Sequence, residues 1–322
     1  IHSFGSEAQG IVDRARDRIA KTINAKSEEI YFTSGGTEAD NWAIKGIAHA
    51  YANKGKHIIT SQIEHPAVME SCRALEKEGF EVTYLPVDKY GVVSLAALLH
   101  AIRKDTILIS IMAVNNEVGT IQNIKAIGKT ARENGILFHT DAVQAYGALK
   151  LDVEDMCIDL MSFSSHKIYG PKGIGALYIR KGVRIANLLD GGHQERSKRG
   201  GTSNVPAIAG FGKAAEINAR DLMINNQRMK SLRDYFIKQV TEKIPYVIVN
   251  GHPQQKVNSI VSISFELIEG EAILLMLDFE GIAVSTGSAC TSGALEKSHV
   301  LSAMGIDDEI ASGTIRFSCS RS

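Results

Sequence analysis

Apolar side chains at Ala8, Ile11, Val12, Ala15, Ile19 and Ile23 recur at helical spacing, which predicts a helix over 8–23. Beyond it, short runs rich in β-branched residues alternate with longer amphipathic stretches. The strand-like runs fall at 29–33, 57–60, 81–87, 106–114, 136–140, 159–164 and 174–179, and helix-like stretches around 37–53, 66–78, 94–103 and 123–133 separate the first five. This alternation predicts an α/β fold with a mostly parallel, seven-stranded sheet covered by helices on both faces. The last two runs follow with no clear helical crossover between them.

From about residue 207 the rhythm changes. Residues 207–243 are long, mixed in polarity and free of proline, so they predict one or two helices. Strand-like runs follow at 246–249, 259–265, 281–285 and 314–318, with a helix at 270–279. The pattern therefore divides the chain into a large domain, 1–222, and a smaller α+β domain, 223–322. No internal repeat or low-complexity tract is present.

Composition narrows the function. The 322 residues are 44% hydrophobic and 22% charged, with zero net charge. That balance lacks the basic excess of a nucleic-acid or anionic-membrane binder. The basic stretch Arg196, Lys198 and Arg199 reads, on charge alone, as a solvated loop. No run of 18 apolar residues predicts a membrane span. The four cysteines, Cys72, Cys157, Cys290 and Cys319, are too sparse for a disulfide scaffold and show no metal-ligand spacing, which fits a reducing cytoplasm. With neither an initiating methionine nor a signal-peptide pattern, the chain is expected to begin inside a longer natural protein.

Ligands of open α/β sheets sit beyond the carboxyl ends of the strands, so the residues that follow each run are the candidates. EIYFT leads into SGGTEADN, where Gly36 and Thr37 open a helix; such a turn binds phosphate or is simply an N-cap. HIIT leads to His65 before Pro66, a proton carrier, a ring-stacking partner or a turn histidine. TILISIMAV ends in the polar cluster Asn115, Asn116 and Glu117, and ILFHT ends in Asp141 with Gln144 beyond it. The most specific string is DLMSFSSHKIYGPKG, which carries Ser164, His166 and Lys167 past an apolar strand. A lysine there either snorkels to the surface or has a lowered pKa suited to a Schiff base. With an acid and a phosphate-type turn at other strand ends, the Schiff base is the better reading, since pyridoxal 5′-phosphate needs a lysine, a carboxylate on its ring nitrogen and a phosphate cup.

The strings SGGTEADN, EHPAV, VNNEVG, HTDAVQ, SFSSHKIYGPKGIGALY, RGGT, STGSACTSGALE and IRFS, in that order, resemble the cysteine desulfurases of class V, which are fold-type I pyridoxal-phosphate enzymes. The resemblance spans nearly the whole chain, and its long loop is similar to that of the iron–sulfur-assembly type. It implies that Lys167 anchors the cofactor and moves protons, Asp141 pairs with the pyridine nitrogen, Gln144 bonds the ring phenolate oxygen, and His65 stacks on the ring. It assigns Gly36, Thr37, Ser164 and His166 to the phosphate cup, and Thr202 to the cofactor phosphate of a second subunit, which implies a homodimer and revises the bland reading of the basic stretch. Asn116 and Arg316 are implied near the substrate carboxylate, and Cys290 as the acceptor of cysteine sulfur.

The expected reaction converts L-cysteine to L-alanine and leaves a persulfide on Cys290 for an iron–sulfur scaffold or another sulfur acceptor. Rival readings are a selenocysteine lyase, a class V aminotransferase, or a non-catalytic scaffold of the same fold that binds sulfur acceptors. Family members are also expected to carry further residues before residue 1 and after Ser322.

Overall fold

In the computed structural model, which describes residues 2–287 and 298–320, each of the seven expected runs is a strand. They are β1 (Ile30–Thr33), β2 (His57–Ser61), β3 (Glu81–Leu85), β4 (Thr106–Ser110), β5 (Leu137–Asp141), β6 (Leu160–Ser164) and β7 (Gly175–Ile179). They form one sheet in the order β1-β7-β6-β5-β4-β2-β3. Strands β3, β2, β4, β5 and β6 pair in parallel, whereas β7 runs antiparallel to both β6 and β1. The missing crossover between the last two runs thus marks a reversal of direction. Strands β1, β2, β4, β6 and β7 are buried at every position, as strands covered on both faces must be.

Helices precede and separate the first five strands, and several begin with a side-chain cap. They are α1 (Ser3–Thr22), α2 (Gly36–Tyr51), α3 (Pro66–Lys77), α4 (Leu95–Ala101) and α5 (Ile124–Glu133). Proline at the first position starts α3, and the Asn123 side chain accepts from Ala126 N–H to start α5. Trp42, Ile44 and Ile47 of α2 are fully buried against Ile58, Leu108, Leu160 and Leu177 of the sheet. Gly128 lets α5 approach closely: a Cβ there would stand 2.1 Å from the Met156 carbonyl oxygen.

The residues group into two compact units: 1–85, 95–113 and 123–222 in the first, and 86–94, 114–122 and 223–322 in the second. The expected helix or helices after 207 are a single helix, α7 (Val205–Lys243), which passes through this boundary; α6 (Gln194–Ser197) is an isolated turn before it. Pro206 falls in the first turn of α7, where its missing N–H costs nothing, and neither glycine nor proline interrupts the helix after Gly212.

In the second unit β8 (Val247–Val249), β9 (Ile260–Phe265) and β10 (Thr314–Ser318) form an antiparallel sheet in the order β10-β9-β8. Val261, Ile263, Phe265 and Ile315 make its core, with Phe236, Ile237 and Val240 packed on them. Helix α8 (Gly270–Phe279) falls as expected, and two short helices, α9 (His299–Ala303) and α10 (Asp308–Ser312), complete the unit. The strand expected at 281–285 does not form. Gly281 stands at φ +77°, Val284 packs on the sheet core, and Ser285 alone makes an isolated bridge, to Arg316. Among the described residues no helix is long and apolar enough to cross a membrane.

Candidate active site

The parallel strands bring their carboxyl ends to one edge of the first unit, and the expected chemistry follows several of them directly. β1 runs into Gly35 and Gly36, and α2 opens there with no side chain capping its first N–H groups. These donors and the positive end of the helix dipole suit an anion. The turn admits no bulk on its inner side: a Cβ on Gly36 would stand 2.7 Å from Val143 Cγ2 and 3.7 Å from Ser164 Cβ. Thr37 is exposed in that turn. Ser164, at the end of β6, shares a 2.7 Å hydrogen bond between its hydroxyl and His166 Nδ1. The next residue, Lys167, lies exposed in the 3-10 turn Ser165–Ile168, which leads into β7.

Asp141 ends β5 and is buried, and its carboxylate accepts from Val143 N–H at 2.8 Å. Burial pushes its pKa up, while that hydrogen bond and the nearby positive charges of His65 and Lys167 pull it back. His65 caps α3, with Nδ1 accepting from Ala67 N–H at 3.1 Å. A neutral ring therefore carries its hydrogen on Nε2. Gln144 sits half-buried in the turn after Asp141. An amine, a buried carboxylate, a histidine and a bare helix N-terminus thus meet at one sheet edge, and these residues fit a phosphate-bearing heteroaromatic aldehyde.

Behind Asp141 lies a buried polar cluster that the motifs did not single out. His139, two residues earlier on β5, faces the same way; its Nδ1 meets Ser110 Oγ at 2.8 Å and its Nε2 meets Ser162 Oγ at 3.0 Å. Burial drops its pKa to about 3, so the ring is neutral. Asp40 Oδ1 lies 3.7 Å from His139 Nε2. Burial, with the negative charges of Asp141 and Glu64, raises the Asp40 pKa well above the usual carboxylate range. Glu64 accepts from Ser61 Oγ at 2.5 Å and from Met112 N–H at 3.0 Å, yet burial still pushes it up to about 8. The period-two spacing of His139 and Asp141, and the serines within apolar strands, are the sequence signals for this cluster.

A second feature not anticipated is the segment before Thr202. Glu195, Arg196 and Ser197 stand successively at φ +42°, +57° and +61°, a left-handed turn that non-glycine residues adopt at a cost of roughly 1–3 kcal/mol each. The Glu195 carboxylate offsets this by taking two 2.8 Å hydrogen bonds from Arg16 and one of 2.9 Å from Phe32 N–H. Arg196 reaches the Ile30 carbonyl and lies over the Tyr31 ring. The basic stretch is therefore anchored, and Thr202 beyond it is exposed.

The second unit brings together the two residues expected near a substrate carboxylate. Arg316, on β10, donates from Nη1 to the Asn116 carbonyl at 3.0 Å. The Arg316 main chain also exchanges hydrogen bonds with Ser285, and Ser298 Oγ donates to Glu117 at 2.5 Å. Cys290 lies outside the described residues. Cys72 is buried with its thiol pushed up to about 12, which leaves it unreactive, and Cys157 and Cys319 are half-buried.

The aminotransferase class-V family matches residues 1–321, and the chain belongs to it. Within that class it belongs with the cysteine desulfurases. It is 56% identical to the cysteine desulfurase IscS of Methanosarcina thermophila over 321 residues, covering 100% of this chain and 79% of that protein. It is 55% identical to the enzyme of the same name from Dictyoglomus turgidum, covering 98% and 80%. Among solved structures it resembles a NifS-like protein, with a TM-score of 0.93 at 39% identity over 99% of this chain and 85% of that one. It also resembles SspA in complex with cysteine, with a TM-score of 0.87 at 38% identity over 99% and 89%.

Proposed function

We propose that the chain uses pyridoxal 5′-phosphate to take sulfur from L-cysteine onto Cys290, and that it works as a cytoplasmic homodimer. The observation that carries this reading is Asp141, a buried carboxylate at a strand end that lies close enough to His65 and Lys167 for both to draw its pKa down. When bound, the cofactor supplies an electron sink for the pair of electrons released at the substrate Cα.

Each remaining task falls to a side chain. The α2 turn at Gly36 and Thr37, with Ser164 and His166, holds the phosphate, and Thr202 supplies a hydroxyl to the phosphate of a second subunit. Asp141 keeps a proton on the ring nitrogen, Gln144 bonds the ring oxygen, and His65 covers the ring face. The Lys167 amine would anchor the cofactor and carry the substrate Cα proton to the cofactor C4′ carbon and later back to Cα. Arg316 grips the substrate carboxylate with a planar fork, next to Asn116. The Cys290 thiolate then attacks the substrate sulfur. An S–S bond forms, the C–S bond breaks with its electron pair left on carbon, and that carbon is protonated and leaves as L-alanine. The persulfide passes to an iron–sulfur scaffold or another acceptor protein.

The test is alanine and sulfide release from L-cysteine, with pyridoxal phosphate and a thiol reductant supplied. Equal amounts of both over many turnovers are expected. A yellow, cofactor-loaded protein that releases neither overturns the assignment, and amino-group transfer or selenocysteine turnover would then identify which rival holds.

A further inference from the structure

The left-handed turn and the phosphate turn are joined by one side-chain pair. Arg199 donates from Nε to Glu38 Oε1 at 2.8 Å and from Nη2 to Glu38 Oε2 at 3.0 Å. Both side chains are largely buried, 19% and 12% exposed. Glu38 also accepts from Ser34 N–H at 2.8 Å, so its carboxylate braces the turn that contains Gly36 and Thr37. Arg199 stands three residues before Thr202 on a segment that is closed on itself, because Gly200 N–H donates to Leu189 carbonyl oxygen at 3.0 Å. At its other end the segment is fastened by the buried Arg16–Glu195 pair. A planar guanidinium held at two points by a carboxylate fixes direction as well as distance.

We propose that Glu38 and Arg199 are positioning residues that couple the two cofactor sites of the dimer, one through its own phosphate turn and the other through Thr202. The coupling rests on the reading that Thr202 reaches the phosphate of the second subunit. Glu38 braces the turn that holds one phosphate, and through Arg199 it also orients the segment that presents Thr202 to the other. Neither residue touches the cofactor. Their effect is therefore confined to ligands that carry the phosphate, and the part that reaches the second site travels through Thr202.

The experiment titrates cofactor-free protein with pyridoxal phosphate and, separately, with pyridoxal, following the absorbance of the lysine adduct and the oligomeric state by light scattering. Arg199→Lys keeps the charge and loses the fork; Glu38→Gln keeps an acceptor for Ser34 and loses the charge. Each is expected to weaken pyridoxal phosphate binding about tenfold and to leave pyridoxal binding unchanged. Thr202→Ala is expected to weaken phosphate-ligand binding alone, and its effect should shrink severalfold in the Arg199→Lys background. Equal losses for both ligands, or losses that multiply independently in the double variant, overturn the coupling while the role of Thr202 stands. A dimeric Thr202→Ala protein that binds as wild type, or a monomeric wild type, removes the role of Thr202 and the coupling with it.

Discussion

Arg316 and Asn116 meet through a hydrogen bond, from the arginine Nη1 to the asparagine carbonyl oxygen at 3.0 Å, although 200 residues of sequence separate them. The bond holds one edge of the guanidinium. Arg316→Lys keeps a charge on the same strand but cannot offer two parallel donors. The variant is expected to raise KM for L-cysteine by about 10–100-fold with a smaller fall in kcat, because a bidentate charge-assisted contact contributes roughly 1.5–3 kcal/mol. Steady-state kinetics of alanine formation checks this; an unchanged KM would place the carboxylate elsewhere.

Glu64 ties stability to pH. Its ordinary value is 4.5 and its folded value about 8, so the native state holds a proton that the unfolded chain releases. The resulting stability is fully present below pH 4.5, declines as pH rises and is lost through pH 8. Glu64→Gln, neutral at every pH, should flatten that decline. Tm of the cofactor-free protein, measured from pH 5.5 to 8.5, should fall less in the variant than in wild type, by on the order of a few degrees across the range.

Lys167 and Cys290 fail in different ways. Lys167→Ala removes the amine and should abolish both the covalent cofactor absorbance and turnover. Cys290→Ala should keep the absorbance and lose at least about a hundredfold in sulfide release, since the nucleophile alone is gone. Absorbance spectra taken beside product assays separate the two, and normal turnover by Cys290→Ala would remove it as sulfur acceptor.

Gly128→Ala sets local preference against packing. Alanine favours a helix over glycine by about 1 kcal/mol, yet its Cβ would stand 2.1 Å from Met156 oxygen and 3.1 Å from Phe138 Cδ1. Backbone must shift, so a net loss of about 1–3 kcal/mol is expected by chemical denaturation. A gain in stability would show that α5 slides at little cost.

The sheet was legible because buried parallel strands are continuous apolar runs, and the candidate site because the residues proposed for it follow those runs. What escaped was set by partners distant in sequence. Ile282 and Val284 have strand-like side chains, but such propensity reports fit to a half-buried surface, and of the segment 281–285 Ser285 alone pairs with the β10 edge, through Arg316. β7 has the composition of its neighbours, and nothing in it declares that it runs against them. Asp40 and Glu64 read as ordinary polar residues of a helix and a turn until burial places them near Asp141. Arg196 and Arg199 read as solvent-facing charge because Ile30 and Glu38, which hold them, come more than 150 positions earlier.

The pairing of β1 has a consequence for the order of assembly during translation. Its one neighbour in the sheet is β7, with Ile30 opposite Tyr178 and Thr33 opposite Gly175. The strand that leads into the phosphate turn emerges early from the ribosome, yet its place in the sheet does not exist until Ile179 has been added. A nascent chain halted just after Lys167 would carry the amine and the acid of the site without a seated phosphate turn. On the proposed reading of the site, cofactor capture waits until the β6–β7 hairpin is complete, and nascent chains released at lengths stepped around residue 180 should begin to retain the cofactor only beyond that length.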